Sequence, residues 1–141
     1  MMTRELADEL AVLYRELDAE IERLGWTCRA CGDCCHFAEH GHELFCSEPE
    51  AEYLIADAEL PELVTHEVCP FLDEGLCTRR QRRTIACRTY FCDAAPEDDI
   101  TALTELWTHR LKRLHERFGV AWNYARLWDH LIRRKALSGK D

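Results

Sequence analysis

No apolar run in this sequence approaches the roughly 20 residues a membrane-spanning helix needs, and the acidic N-terminus has no signal-peptide core. Membrane insertion and secretion are therefore not expected, and a cytoplasmic location is. Internal repeats and low-complexity tracts are missing. So are a Walker loop, a nucleotide fingerprint, a paired-carboxylate motif and any Ser/His/Asp set. A non-catalytic role is accordingly expected ahead of an enzymatic one. Positive charge is also short, with 18 Lys+Arg against 27 Asp+Glu. The resulting net charge of −9 argues against general binding to a polyphosphate backbone. The deficit is uneven. Residues 1–66 hold 4 basic and 16 acidic side chains, net −12, whereas residues 67–141 hold 14 basic and 11 acidic, net +3.

What the chain does have is globular composition, 47% hydrophobic and 32% charged, over 141 residues. That length predicts one domain, 1–141, with about ten to twenty buried side chains. Within it an N-terminal helix over 4–24, a cysteine-rich region over 26–95 and C-terminal helices over 96–137 can be read. In the first, Leu6, Leu10, Leu13, Leu17, Ile21 and Leu24 form one apolar stripe. Thr3 is placed to cap its start and Gly25 to end it. Core packing is the ordinary role of such a stripe, and a coiled-coil seam is disfavoured because the repeat lasts only about three heptads. Pro96 followed by Glu97-Asp98-Asp99 marks another helix start. Ile100, Leu103, Trp107, Leu111, Leu114 and Phe118 then recur at helical spacing. After Gly119, the residues Tyr124, Leu127, Trp128 and Leu131 predict a further helix ending near Arg133-Arg134-Lys135. This aromatic stripe is read as core.

The middle region carries the chemistry. All 9 cysteines, at 28, 31, 34, 35, 46, 69, 77, 87 and 92, fall within 65 consecutive residues. In a reducing compartment such a cluster points to metal binding before disulfides, and an odd count leaves one thiol unpaired in any disulfide scheme. Ser47-Glu48-Pro49-Glu50 is a capping-box pattern predicting a short helix over about 48–58. Residues 68–77 predict a small hairpin or knuckle around Asp73-Glu74-Gly75, and residues 79–90 a short basic helix. The rest reads as loop, unstable without cross-links. The expected fold is thus mainly α, with helices around an irregular metal-binding centre and at most a small hairpin.

Cys28-Arg29-Ala30-Cys31-Gly32-Asp33-Cys34-Cys35 is the sharpest signal. A C-x2-C step lets two thiolates face one ion while intervening backbone N–H groups donate to the sulfurs, and Gly32 allows the tight turn of a knuckle. Side chains of the adjacent Cys34 and Cys35 diverge, so they can serve different ions or opposite sides of one cluster. The second set, Cys69-x7-Cys77-x9-Cys87-x4-Cys92, matches no standard finger or ferredoxin spacing. Four plus four thiolates would suit two tetrahedral sites or two iron–sulfur centres, and ligands from the two sets could equally interleave.

The ordered pattern C-x2-C-G-x-C-C, C-P-F-L, C, R-x3-C-R, C resembles the YkgJ-type cysteine-cluster family, also described as the CxxCxxCC zinc- or iron-chelating domain. The likeness covers about residues 28–92. It rests on Cys28, Cys31, Gly32, Cys34, Cys35, Cys69, Pro70, Cys77, Arg83, Cys87, Arg88 and Cys92. It implies metal chelation by the eight cysteines and little about a reaction. The family is also associated with flagellin lysine methylation, yet this chain shows no Gly-rich loop after a strand for S-adenosylmethionine. Thr84 stands where the family usually has Pro, and Arg80 where it tends to have Tyr. Cys46 falls outside the pattern and is read as a small buried residue.

With cysteine in surplus, His36, His40 and His42 are read as solvated loop residues, and His66, His109, His115 and His130 carry no signal. Arg79-Arg80-Gln81-Arg82-Arg83 with Arg88 is the one concentrated basic patch. A zinc ion held by four thiolates carries a formal charge of roughly −2, which such guanidinium groups would offset. No aromatic residues are interleaved for base stacking, so nucleic-acid contact is not expected. The sequence therefore predicts a metal-binding module holding zinc or iron, with an iron–sulfur redox or accessory protein acting on a partner protein as the alternative.

Overall fold

The computed structural model describes residues 3–25, 45–56, 71–73, 76–77, 79–89 and 97–138. As expected, it is mainly helical. Helix α1 spans Arg4–Arg23. Thr3 caps it through its hydroxyl, which accepts the Leu6 N–H at 3.2 Å, and the chain leaves at Gly25 with φ +77°. Leu6, Leu10, Leu17 and Ile21 are buried as the stripe predicts. Tyr14 is buried with them, four residues beyond Leu10, while Leu13 only flanks the core and Leu24 is 45% exposed.

Strand β1 (Phe45–Ser47) runs directly into helix α2 (Glu48–Ile55). The capping box at this junction is complete: Ser47 Oγ accepts the Glu50 N–H at 3.4 Å and Glu50 Oε1 accepts the Ser47 N–H at 3.2 Å. The helix ends at Ile55, short of the predicted 58, of which 57 and 58 lie outside the described residues. Its end is made by arginines. Arg79 donates to the carbonyls of Leu54 and Ala56, and Arg82 Nη1 donates to Tyr53 O at 3.1 Å, so carbonyls without helical partners are satisfied from another segment.

Strands β2 (Leu72–Asp73) and β3 (Leu76–Cys77) form the expected antiparallel hairpin, with Leu72 opposite Cys77 and Asp73 opposite Leu76. The predicted basic helix over 79–90 is broken. A 3-10 turn at Arg80–Arg82 is followed by extended Arg83 (φ −61°, ψ 147°) and only then by helix α3 (Ile85–Thr89). Helical propensity is overridden there because the buried Arg88 side chain captures the carbonyls of Gln81 and Arg83 at 2.8 and 2.7 Å.

Helix α4 (Glu97–Phe118) follows the predicted stripe, burying Leu103, Trp107, Leu111 and Leu114. It closes with Gly119 at φ +65°, where the Gly119 and Val120 N–H groups bond back to Glu116 and His115 carbonyls at 3.2 and 2.9 Å. The predicted final helix begins three residues late. Tyr124–Arg126 is strand β4, and helix α5 covers Leu127–Ser138. Strand β4 pairs antiparallel with β1, in register Phe45–Arg126, Cys46–Ala125 and Ser47–Tyr124. The pairing joins segments nearly eighty residues apart, so no local pattern announces it. Stacking of Tyr124 on Phe45 and on Trp122, at ring-centroid distances of 6.0 and 5.1 Å, accompanies it.

Two apolar clusters result. One lies between α1 and α4 and includes Leu10, Leu17, Trp107 and Leu111, with Ile85 of α3 at its edge. The other gathers Cys46, Leu54, Phe71, Cys87, Leu127, Trp128 and Leu131. Helix α3 is the bridge, contributing Ile85 to the first and Cys87 to the second.

Candidate metal centre

Of the eight cysteines expected to bind metal, Cys28, Cys31, Cys34, Cys35, Cys69 and Cys92 lie outside the described residues, as do His36, His40, His42 and His66. Cys77 is in β3 opposite Leu72. Cys87 is in α3, buried and not in a disulfide. Among the described residues, no group of three or more His, Cys, Asp or Glu side chains is gathered to hold a metal.

The described residues do show the surroundings of Cys87 and the strand that holds Cys77. Phe71, two positions after Cys69, packs in the same cluster as Cys87. Leu72, the next residue, pairs with Cys77. Phe71 thus links the start of the hairpin to the cluster that holds Cys87. The Cys87 sulfur accepts a hydrogen bond from the Thr84 hydroxyl at 3.3 Å, and the same hydroxyl oxygen accepts the Cys87 N–H at 3.3 Å. A reduced thiol carrying a hydroxyl donor is chemically suited to act as a thiolate ligand.

Cys46, expected to be a small buried residue, has no exposed surface and packs in the same cluster. Burial pushes its thiol well above the ordinary range, and the Glu50 carboxylate and the Cys87 sulfur push in the same direction. Its carbonyl bonds the His130 ring Nε2 at 2.8 Å, which gives His130 a buried structural role that its position in the sequence did not reveal. His115 is similar: its ring meets Ala121 O at 3.2 Å and Trp122 edge-on, and burial lowers its pKa.

Glu50 is the feature that sequence reasoning saw only in part. It is 1% exposed. One carboxylate oxygen completes the capping box, while Oε2 accepts the Tyr14 hydroxyl at 3.0 Å and the Ile85 N–H at 2.8 Å. A single side chain therefore ties α1, α2 and α3. Burial raises its pKa, although the bonds from Ile85, Ser47 and Tyr14 and the charge of Arg88 oppose the rise. Tyr14 is pushed well above its usual value by burial and then by Glu50, with Arg88 acting against them.

The arginine patch is largely structural. Arg88, expected to offset thiolate charge, has its guanidinium on Asp18 Oδ2 at 2.7 Å and on two carbonyls, 4.2 Å from the centre of the Tyr14 ring. Tyr14 meets Tyr53 edge-on, and Arg82 lies 4.6 Å over Tyr53. Two adjacent rings are thus flanked by a guanidinium at each end, which fixes the arginines by contacts that do not require a metal. Arg83 is nearer the cysteine, with Nη1 3.5 Å from the Cys87 carbonyl.

A groove of about 630 Å³ between α1 and α4 is lined by Glu9, Glu16, Arg110, Arg113 and Arg117, among others, and by no cysteine. Its opposed charges pair across it, as Arg117 does with Glu9 at 3.0 Å, so it is a polar seam unrelated to the thiol chemistry. Among the described residues, no helix is long and apolar enough to cross a membrane. Compared with protein-family profiles, curated proteins and solved structures, the chain matches none.

Proposed function

We propose that this chain is a metal-binding cysteine-cluster protein, a non-catalytic module whose central region is held together by zinc or iron on thiolates. The observation that carries the reading is the C-x2-C-G-x-C-C run at Cys28–Cys35 followed by Cys69, Cys77, Cys87 and Cys92. The packing of Phe71 in the cluster of Cys87 supports it, because Phe71 opens the hairpin whose second strand holds Cys77. Resemblance to the YkgJ-type pattern points the same way. Ligand binding would supply folding free energy to loops with little apolar surface of their own. A cytoplasmic, reducing location suits cysteines such as Cys46 and Cys87 that form no disulfide.

The C-x2-C-x2-C spacing of Cys28, Cys31 and Cys34 favours one second reading, an iron–sulfur redox or accessory protein that supports modification of a partner. Anaerobic purification followed by elemental analysis and a visible spectrum tests both. Colourless protein with stoichiometric zinc supports the structural module. Brown protein with broad visible absorption supports the cluster. Folded, protease-resistant protein free of either metal overturns the proposal.

A further inference from the structure

Thr84 lies between the extended Arg83 and α3 and is 1% exposed. Its hydroxyl oxygen accepts the Cys87 N–H, capping this short helix, and its proton is directed at Cys87 Sγ, each at 3.3 Å. The capping task uses only the oxygen. The donor is spent on sulfur, a weak acceptor as a neutral thiol and a much better one as an anion. The surroundings make that donor valuable. Cys87 is 7% exposed, and the Glu50 carboxylate, which bonds Ile85 in the same helix, carries charge of the same sign as a thiolate. Arg88, one residue on, has its guanidinium turned to Asp18 and the carbonyls of Gln81 and Arg83.

We infer that Thr84 is a positioning residue for a metal-binding Cys87 thiolate, its hydroxyl fixing the sulfur's orientation and carrying part of its negative charge. The inference rests on the metal reading proposed above and adds to it a named residue outside the cysteine set. The donor acts on the ligand and does not itself touch the metal.

The test uses the full-length protein, reduced and stripped of metal, then titrated anaerobically with Co²⁺ against a competing chelator. Thr84→Val should weaken cobalt retention by about 10-fold, the lower end of the usual outer-shell range. It should also move the sulfur-to-cobalt charge-transfer band to lower energy, because a thiolate without its donor gives up electron density more easily. Thr84→Ser, which keeps the hydroxyl, should restore both. Thr84→Gly covers the case in which the valine variant does not fold, since glycine is well tolerated at a cap and also lacks the donor. Loss of the cap alone would lower the stability of the metal-free protein without moving the band. If Cys87→Ser loses metal while the valine and glycine variants keep wild-type retention and band energy, the role of Thr84 is overturned and the metal reading stands. Wild-type protein that takes up no cobalt overturns both.

Discussion

Arg88 shows how far a residue's role can depart from its neighbourhood in sequence. Next to Cys87 and shortly after a run of arginines, it invites an electrostatic role beside thiolates. Its side chain is instead 3% exposed and holds Asp18 of α1, itself half-exposed, and two carbonyls of the preceding turn. Arg88→Ala would leave those carbonyls without a donor and remove the cation from the Tyr14 face, a loss of about 2–4 kcal/mol. Chemical denaturation of variant and wild type checks this. A loss of metal with unchanged stability would return Arg88 to the thiolates. At Cys46 the expectation is the reverse. Cys46→Ser buries a hydroxyl in an apolar cluster, costing about 1–3 kcal/mol, but should leave metal content intact, whereas Cys87→Ser should reduce it. Elemental analysis of the two purified variants decides; an equivalent of metal lost with Cys46→Ser would mean that the ligand set is wrong.

Among elements, the junction of β1 and α2 is tied by a capping box and by the buried Glu50 carboxylate. Ser47→Ala removes one side of a capping box and should cost about 1 kcal/mol. Glu50→Ala should cost more, about 2–4 kcal/mol, because the Tyr14 hydroxyl and the Ile85 N–H lose their acceptor in a buried site. Equal losses for the two would show that Glu50 acts only as a cap. The same carboxyl gives the fold a pH signature. Its folded pKa is raised above the ordinary 4.5, mainly by burial, so folding binds a proton that the unfolded chain has released. That contribution is complete below 4.5 and is lost as the pH rises through the elevated folded value. Wild-type stability measured against Glu50→Gln should therefore decline over this window, and parallel profiles would contradict the assignment.

At the scale of the molecule, the two apolar clusters divide the labour. Among the described residues, the cluster between α1 and α4 contains no cysteine and is apolar and well buried without a metal. The other cluster holds Cys46 and Cys87 together with Phe71, two positions after Cys69 in the chain. A strong chelator should consequently open residues 26–92 to proteolysis while α1 and α4 keep much of their far-UV signal. Limited proteolysis and circular dichroism on the same sample check the two halves of this expectation. Unchanged protection in metal-free protein would remove the case for a metal-dependent centre.

The sequence alone determined the elements whose causes are local. The α1 and α4 stripes, the Ser47–Glu50 box, the glycine at the end of each long helix and the hairpin at Leu72–Cys77 all follow from spacing, capping and turn chemistry within a few residues. It also placed Cys46 in the interior. Tertiary structure decided everything that depends on contact between distant segments. Tyr124–Arg126 became a strand because Phe45–Ser47 lies beside it, and the helix of 79–90 was broken because Arg88 turned its guanidinium back onto Gln81 and Arg83. Glu50 became a three-way tie because folding brought Tyr14 and Ile85 to its second oxygen. A capping box is written in four consecutive residues. What the buried carboxylate does with its remaining acceptor capacity is settled only when burial removes water and leaves other segments as its partners.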